Sequence, residues 1–258
     1  ITEVMNMASV AKDFMATEAI QQSRIDLAAA HRLVHRFGWD DGIYNHLTVT
    51  VPGHTDQFLV KPHGLLMSEV TASNLIVVDA DGKTIEGEGF VETSALHIHA
   101  AIHLGCPAAA CVLHVHPEFS TWLTSIQDNR LKMTSQNALR FHNRIAYDDE
   151  YGGLAMERSE GERMAAKLGN HLVMLHANHG VTTVGNTVAD AFTELYDIER
   201  ACGFYYRVVS SGVAPKIVSD EIAAMTAEQF DLEREQYVSL SFAAWKRLCD
   251  QEEPEYAH

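Results

Sequence analysis

The apolar positions of this chain change their period several times, and each change marks an element. Ile25, Leu27, Ala28, Leu33, Val34 and Phe37 recur at helical spacing among Arg24, Asp26, Arg32 and Arg36. Ser23 is placed to cap that helix and Gly38 to stop it. Upstream, residues 1–19 carry Val4, Met7, Val10 and Phe14 at a similar spacing without a strong cap, which predicts an arm that docks elsewhere. Leu47–Val51 then alternates at period two, Pro52-Gly53 turns the chain and Gln57–Val60 returns, so an antiparallel pair is expected. Leu75–Val78 before Asp79-Ala80-Asp81-Gly82 reads as a further strand and turn.

The second half alternates helix with strand. Ser94 is placed to cap a helix running to about Leu104, and the apolar run Ala110–Val115 follows as a buried strand stopped by Pro117. A helix is expected near Glu118–Ser125, and Ser159 with Glu162 has capping-box spacing before Met164, Ala165 and Leu168. Leu172–Leu175 and Val181–Val184 read as strands on either side of Asn178-His179-Gly180. Thr187 opens a long helix whose stripe is Val188, Ala191, Phe192, Leu195, Ile198, Ala201 and Cys202, and a last helix spans roughly Asp220–Cys249. Together these predict an α/β layered sandwich with one central mixed, largely antiparallel sheet flanked by helices. The expected organisation is an arm at 1–19, a domain at 20–215, and a C-terminal helix with an acidic tail at 216–258 packing on that domain.

Composition narrows the partners. Nineteen Lys and Arg against 35 Asp and Glu give a net charge of −16 with no basic cluster, which repels nucleic acid and anionic membranes alike. The four cysteines show no CxxC spacing, and free thiols are expected. With no apolar run of membrane-spanning length and no leader pattern at the start, the expected location is cytoplasmic.

Candidate chemistry centres on three histidines. His114 and His116 stand two apart on the predicted strand, so both rings face one way, and His179 arrives from a later turn. Three neutral nitrogen donors with open positions suit a catalytic divalent metal. Spacing alone leaves a second reading, since 15 histidines make chance pairs common and strand histidines are often satisfied core residues.

Further segments fall into order with these: Tyr44-Asn45-His46, Pro62-His63-Gly64, Thr93-Ser94 and Asn178-His179-Gly180. With Asp41–Thr48, Thr71–Leu75 and Ser135–Arg140 they make the chain resemble the class II aldolase and adducin head superfamily over about residues 20–215, nearest its adducin-like branch. The resemblance implies a homotetramer with active sites at subunit interfaces and a metal held by His114, His116 and His179. Zinc is the first choice, with manganese, iron or cobalt as alternatives. It also implies an anionic small-molecule substrate bound through Asn45, Gly64, Thr93 and Ser94.

One departure stands out. Where the family's aldolases carry an acid–base glutamate after a Ser-Ser pair, this chain has Ala95 after Thr93-Ser94. Alanine moves no proton, so Glu92 becomes the candidate catalytic carboxylate, against the alternative of a solvated loop acid. Three functions therefore compete: a metal-dependent lyase acting through a stabilised enolate, a decarboxylase or epimerase of the same fold, and a non-catalytic adducin-like binding module. His97, His99 and His103 on one helix lack an HExxH glutamate and read as packing or supporting residues. Tyr147, Asp148, Asp149 and Tyr151 read as a solvated turn, and Tyr205 and Tyr206 as interface contributors.

Overall fold

The computed structural model describes residues 2–258, with side chains from residue 17 onward. Helix α1 (Thr2–Arg36) precedes β1 (His46–Thr50), β2 (Gln57–Val60), β3 (Ile76–Asp79) and β4 (Thr84–Glu86). Helix α2 (Thr93–Gly105) leads to β5 (Cys111–Val115), α3 (Glu118–Thr124), α4 (Gln136–Leu139) and β6 (Ile145–Asp148). Then come α5 (Arg158–Leu168), β7 (Val173–His176), β8 (Gly180–Gly185), α6 (Val188–Ser210) and α7 (Asp220–Glu252). Among the described residues eight strands form one sheet in the order β4-β3-β2-β1-β5-β8-β7-β6, antiparallel except for the parallel pair β6–β7. This is the expected mixed, largely antiparallel sheet between helices.

Strand parity divides the core. Leu47, Val49, Cys111, Leu113, Val115, Val173, Leu175 and Val181 face one way and pack with Leu27, Leu33, Phe192, Leu195 and Phe242 from α1, α6 and α7. Val112, Ala146, Met174 and Val184 face the other way, against Ile98 and Ile102 of α2 and Met164 and Leu168 of α5. His46, Thr48 and His114 share the parity of Val112, because His46 pairs with His114 and Thr48 with Val112. The α2 face of the sheet therefore runs from apolar to polar along its own strands, and the polar end holds the histidines.

Several local expectations change. Ser23 lies inside α1, where its hydroxyl donates to the Ala19 carbonyl at 3.0 Å instead of capping an end; this is the usual local bond of a mid-helix serine. The docking proposed for Val4, Met7, Val10 and Phe14 lies outside the described side chains. Helix α2 is capped by Glu92, not Ser94, and α5 begins at Arg158 with Glu157 at its cap position, so Ser159 is already helical. Tyr147 and Asp148 belong to β6 and Asp148 is buried; they are not part of a solvated turn. All four cysteines are buried free thiols. Among the described residues no helix is long and apolar enough to cross a membrane.

Candidate metal centre and its cavity

The end of β5 carries His114 and the residue beyond it, His116, to the mouth of a cavity of about 330 Å³. The β7–β8 hairpin brings His179 to them. Its turn is set by Asn178, whose φ of 56° lies in the left-handed region that asparagine tolerates. It is also set by Gly180, where an added Cβ would sit 2.6 Å from His116 Cδ2 and 2.7 Å from the Val115 carbonyl oxygen. A side chain there would drive the two strands apart, so glycine lets the hairpin close on His116.

The three rings meet at one kind of atom. His114 Nε2 lies 3.2 Å from both His179 Nε2 and His116 Nε2, and the three donors form a compact group. His114 Nδ1 sits 3.1 Å from the Val181 carbonyl, which can only accept, so the ring proton is on Nδ1 and Nε2 offers a lone pair. His116 Nδ1 likewise faces Asp41 Oδ2 at 3.3 Å. Burial, followed by the mutual influence of the rings, pushes His114 well below the ordinary histidine range and His179 down to about 3. His116 is also lowered, burial outweighing the pull of Asp41. Neutral rings whose lone pairs face each other repel unless a cation sits between them. Zinc–nitrogen bonds of 2.0–2.1 Å at tetrahedral angles place ligand nitrogens about 3.3 Å apart, so the donor set fits a divalent metal.

A supporting chain runs behind the triad. Thr182 Oγ1 lies 3.3 Å from His114 Nδ1 and 2.8 Å from His176 Nε2, and His176 Nδ1 stands 3.7 Å from Asp148. Arg163 holds that carboxylate through two hydrogen bonds of 2.6 and 2.8 Å. Burial works to raise the Asp148 pKa, but the facing His176 ring and the two bonds from Arg163 prevail and hold it well below the carboxylate range. This chain was not legible in the sequence. Its members lie far apart in the chain, and only the β5–β8–β7–β6 register aligns them.

The other expected site residues separate into two groups. Asn45 borders the cavity, φ 68°, with both amide atoms buried and unpartnered. Ser94 and Ala95 border it too, as do His46 and His99, which the sequence reading did not place there. Gly64 and Thr93 are not among its lining residues. Glu92 lines it, but its carboxylate accepts the Ser94 hydroxyl and the Ala95 amide, the latter at 3.0 Å, as a helix cap. Burial would raise its pKa, yet these bonds lower it, so the carboxylate is committed in its ionised form. A second cavity, of about 240 Å³, is lined by Arg140, Arg144 and Arg234, but all three are paired, with Asp197, Asp231 and Glu194 respectively.

Comparison with known proteins bears on the family and the fold. The family model described as Class II Aldolase and Adducin N-terminal domain matches residues 25–206. The crystal structure of an aldolase II superfamily protein from Pseudomonas syringae is 33% identical, with a TM-score of 0.88 over 93% of this chain and 96% of that one. An L-fuculose 1-phosphate aldolase from Glaciozyma antarctica PI12 is 26% identical, with a TM-score of 0.81 over 93% and 94%. The decarboxylase NovR of Streptomyces niveus is 31% identical over 204 residues, 78% of this chain and 75% of its own length.

Proposed function

This chain belongs to the class II aldolase and adducin N-terminal domain family, and on that premise we propose that it is a metal-dependent carbon–carbon lyase acting on a small, anionic hydroxy-carbonyl or carboxylate compound. The observation that carries the reading is the convergence of three neutral imidazole Nε2 atoms on one point beside a cavity. His114, His116 and His179 would hold a divalent cation, which would supply Lewis-acid stabilisation of the negative charge that develops when the carbon bond breaks. Three nitrogen donors favour zinc, with manganese, iron and cobalt as alternatives.

The chain's own residues supply position and exclusion. Asp41, and Asp148 through His176 and Thr182, fix the ligand rings. The Asn45 amide, unpartnered and buried, offers a donor and an acceptor to a bound molecule. Tyr44, Tyr151 and Leu154 stand exposed at the cavity. Their exposure supports a homotetramer in which a neighbouring copy covers the rim. Buried free thiols support a cytoplasmic setting.

A specific observation favours decarboxylation within the lyase class. Retro-aldol cleavage needs a base for a hydroxyl proton, whereas loss of carbon dioxide does not. Ala95 carries no such group and Glu92 is bound as a cap; the likeness to a decarboxylase points the same way. The experiment is metal analysis of protein purified without chelator, beside His114→Ala, followed by assays of aldehyde and carbon dioxide release over a panel of hydroxy acids. Stoichiometric metal lost in the variant and carbon dioxide release support the reading. A metal-free wild-type protein with neither product favours a binding module.

A further inference from the structure

The ring of His99 is 3% exposed and borders the cavity, and its Nε2 is buried without a partner. Which of its nitrogens carries the proton follows from a chain of hydrogen bonds that starts at a backbone carbonyl. His103 Nδ1 lies 2.6 Å from the Ala109 carbonyl oxygen, which can only accept, so that nitrogen donates. Burial keeps His103 neutral, its pKa pushed down to about 4, so its Nε2 is an acceptor. Thr48 Oγ1, 2.7 Å away, must then spend its single hydrogen on His103 Nε2. At His99 Nδ1, also 2.7 Å away, the same oxygen can only accept. His99 therefore carries its proton on Nδ1 and presents a bare lone pair at Nε2. A buried acceptor without a donor is left desolvated with no bond to offset that, so the fold keeps it at a cost that a bound donor would relieve.

The charges around it decide what kind of molecule brings that donor. Carboxylates of Asp41 and Glu92 line the cavity, and no lysine or arginine is among its described lining residues. Lys61 is buried and does not line the cavity; its ammonium donates to the Ile43 carbonyl at 2.8 Å. The start of α2, where free amides would otherwise attract an anion, is filled by Glu92, and the Ser94 hydroxyl donates to that same carboxylate. A phosphate dianion on this wall would meet an ionised carboxylate and a lone pair.

We propose that the α2 wall of the cavity is a subsite for an uncharged hydroxyl, with His99 Nε2 as its acceptor, and that it selects hydroxylated substrates over phosphorylated ones. His99 is here a positioning and specificity residue. The inference deepens the lyase reading, on which it rests for the anchoring of the substrate's other end at the triad.

The test is nitrogen-15 NMR of histidine-labelled, metal-loaded protein titrated with glycolate, acetate or inorganic phosphate. Expected are a His99 ring protonated at Nδ1 in the free protein, mixed tautomers in Thr48→Val, and a shift of the Nε2 resonance with glycolate alone. Glycolate should bind a few-fold to about tenfold more tightly than acetate, the worth of one net hydrogen bond, and His99→Phe should erase that preference without changing metal content. A proton found on Nε2 would overturn the proposal. So would a His99 Nε2 resonance unmoved by glycolate, a shift of equal size with acetate or phosphate, or a preference that survives His99→Phe, which would place the hydroxyl on the metal. Failure of the lyase reading looks different: no metal is retained and neither acid binds, while the His99 tautomer, set by Thr48 and His103, stays as described. Because binding at the triad supplies the anchor, that outcome overturns the subsite as well.

Discussion

Asp148 is 1% exposed, yet it is ionised, and its neighbours explain why. Two bonds from Arg163 and the facing His176 ring more than offset the burial that would otherwise neutralise it. Asp148→Asn keeps the shape and removes the charge. We expect it to lower stability by roughly 2 kcal/mol, the range of a charge-assisted bond whose arginine is partly solvated, and to weaken metal binding by about 10–100-fold, as loss of an outer-shell partner does. The sign of the pH dependence follows from the lowered pKa. The stabilisation is complete above the unfolded value near 4 and is lost as pH falls through lower values. In urea unfolding, the gap between wild type and variant should therefore stay constant from pH 8 to about pH 5. A gap that narrowed across that span would mean that Asp148 is not held low.

Two elements position the site, and each rests on one residue. In the β7–β8 hairpin, Gly180 leaves no room for a side chain between His116 and the Val115 carbonyl. Gly180→Ala should therefore separate His179 from His116 and reduce metal affinity at least tenfold in a competition titration, with the far-UV circular dichroism unchanged. At the start of α2, Glu92 takes the amide of Ala95 as its cap. Glu92→Ala should cost about 1 kcal/mol in thermal unfolding and leave metal stoichiometry intact. A loss of product formation far beyond that modest destabilisation would restore Glu92 as a proton carrier. Most elements were legible in the sequence because their signals are local: the alternation of Leu47–Val51, the stripe of α6 and its Thr187 cap all hold. Caps were less legible, since Ser94 and Ser159 have the right chemistry one or two residues inside the helices whose caps are Glu92 and Glu157. Short β6, read as a turn from its polar residues, gains its strand from pairing with β7.

At the level of the whole molecule, one face of one sheet gathers a store of neutral imidazoles. Strand parity predicted that His114 and His116 would point together, but the register placing His46 beside His114, and Thr48 within reach of His99 and His103, is a property of the folded sheet. The triad could therefore be proposed from two short motifs, while its supporting chain could not. Burial drives His31, His46 and His179 down to about 3 and His103 to about 4, and lowers His99 and His114 as well. In each case the folded state refuses a proton that the unfolded chain accepts near pH 6.5, so stability falls as pH drops below that value, by about 1.4 kcal/mol per pH unit for each ring. The loss continues until the folded rings themselves titrate. We expect the unfolding free energy to drop between pH 7 and pH 5 with a slope several times the single-histidine value, opposed in part by Asp197, whose buried carboxyl is pushed up to about 6 and takes up a proton in the folded state over that span. Bound metal should raise the whole curve and leave this slope nearly unchanged, because burial already keeps His114 and His179 neutral across that span and they release no proton to the ion. Denaturant unfolding at half-unit pH steps, with and without added zinc, measures both slopes. A flat profile from pH 7 to 5 would mean that these rings are solvated or charged in the folded protein, and the convergent lone pairs at the triad would go with them.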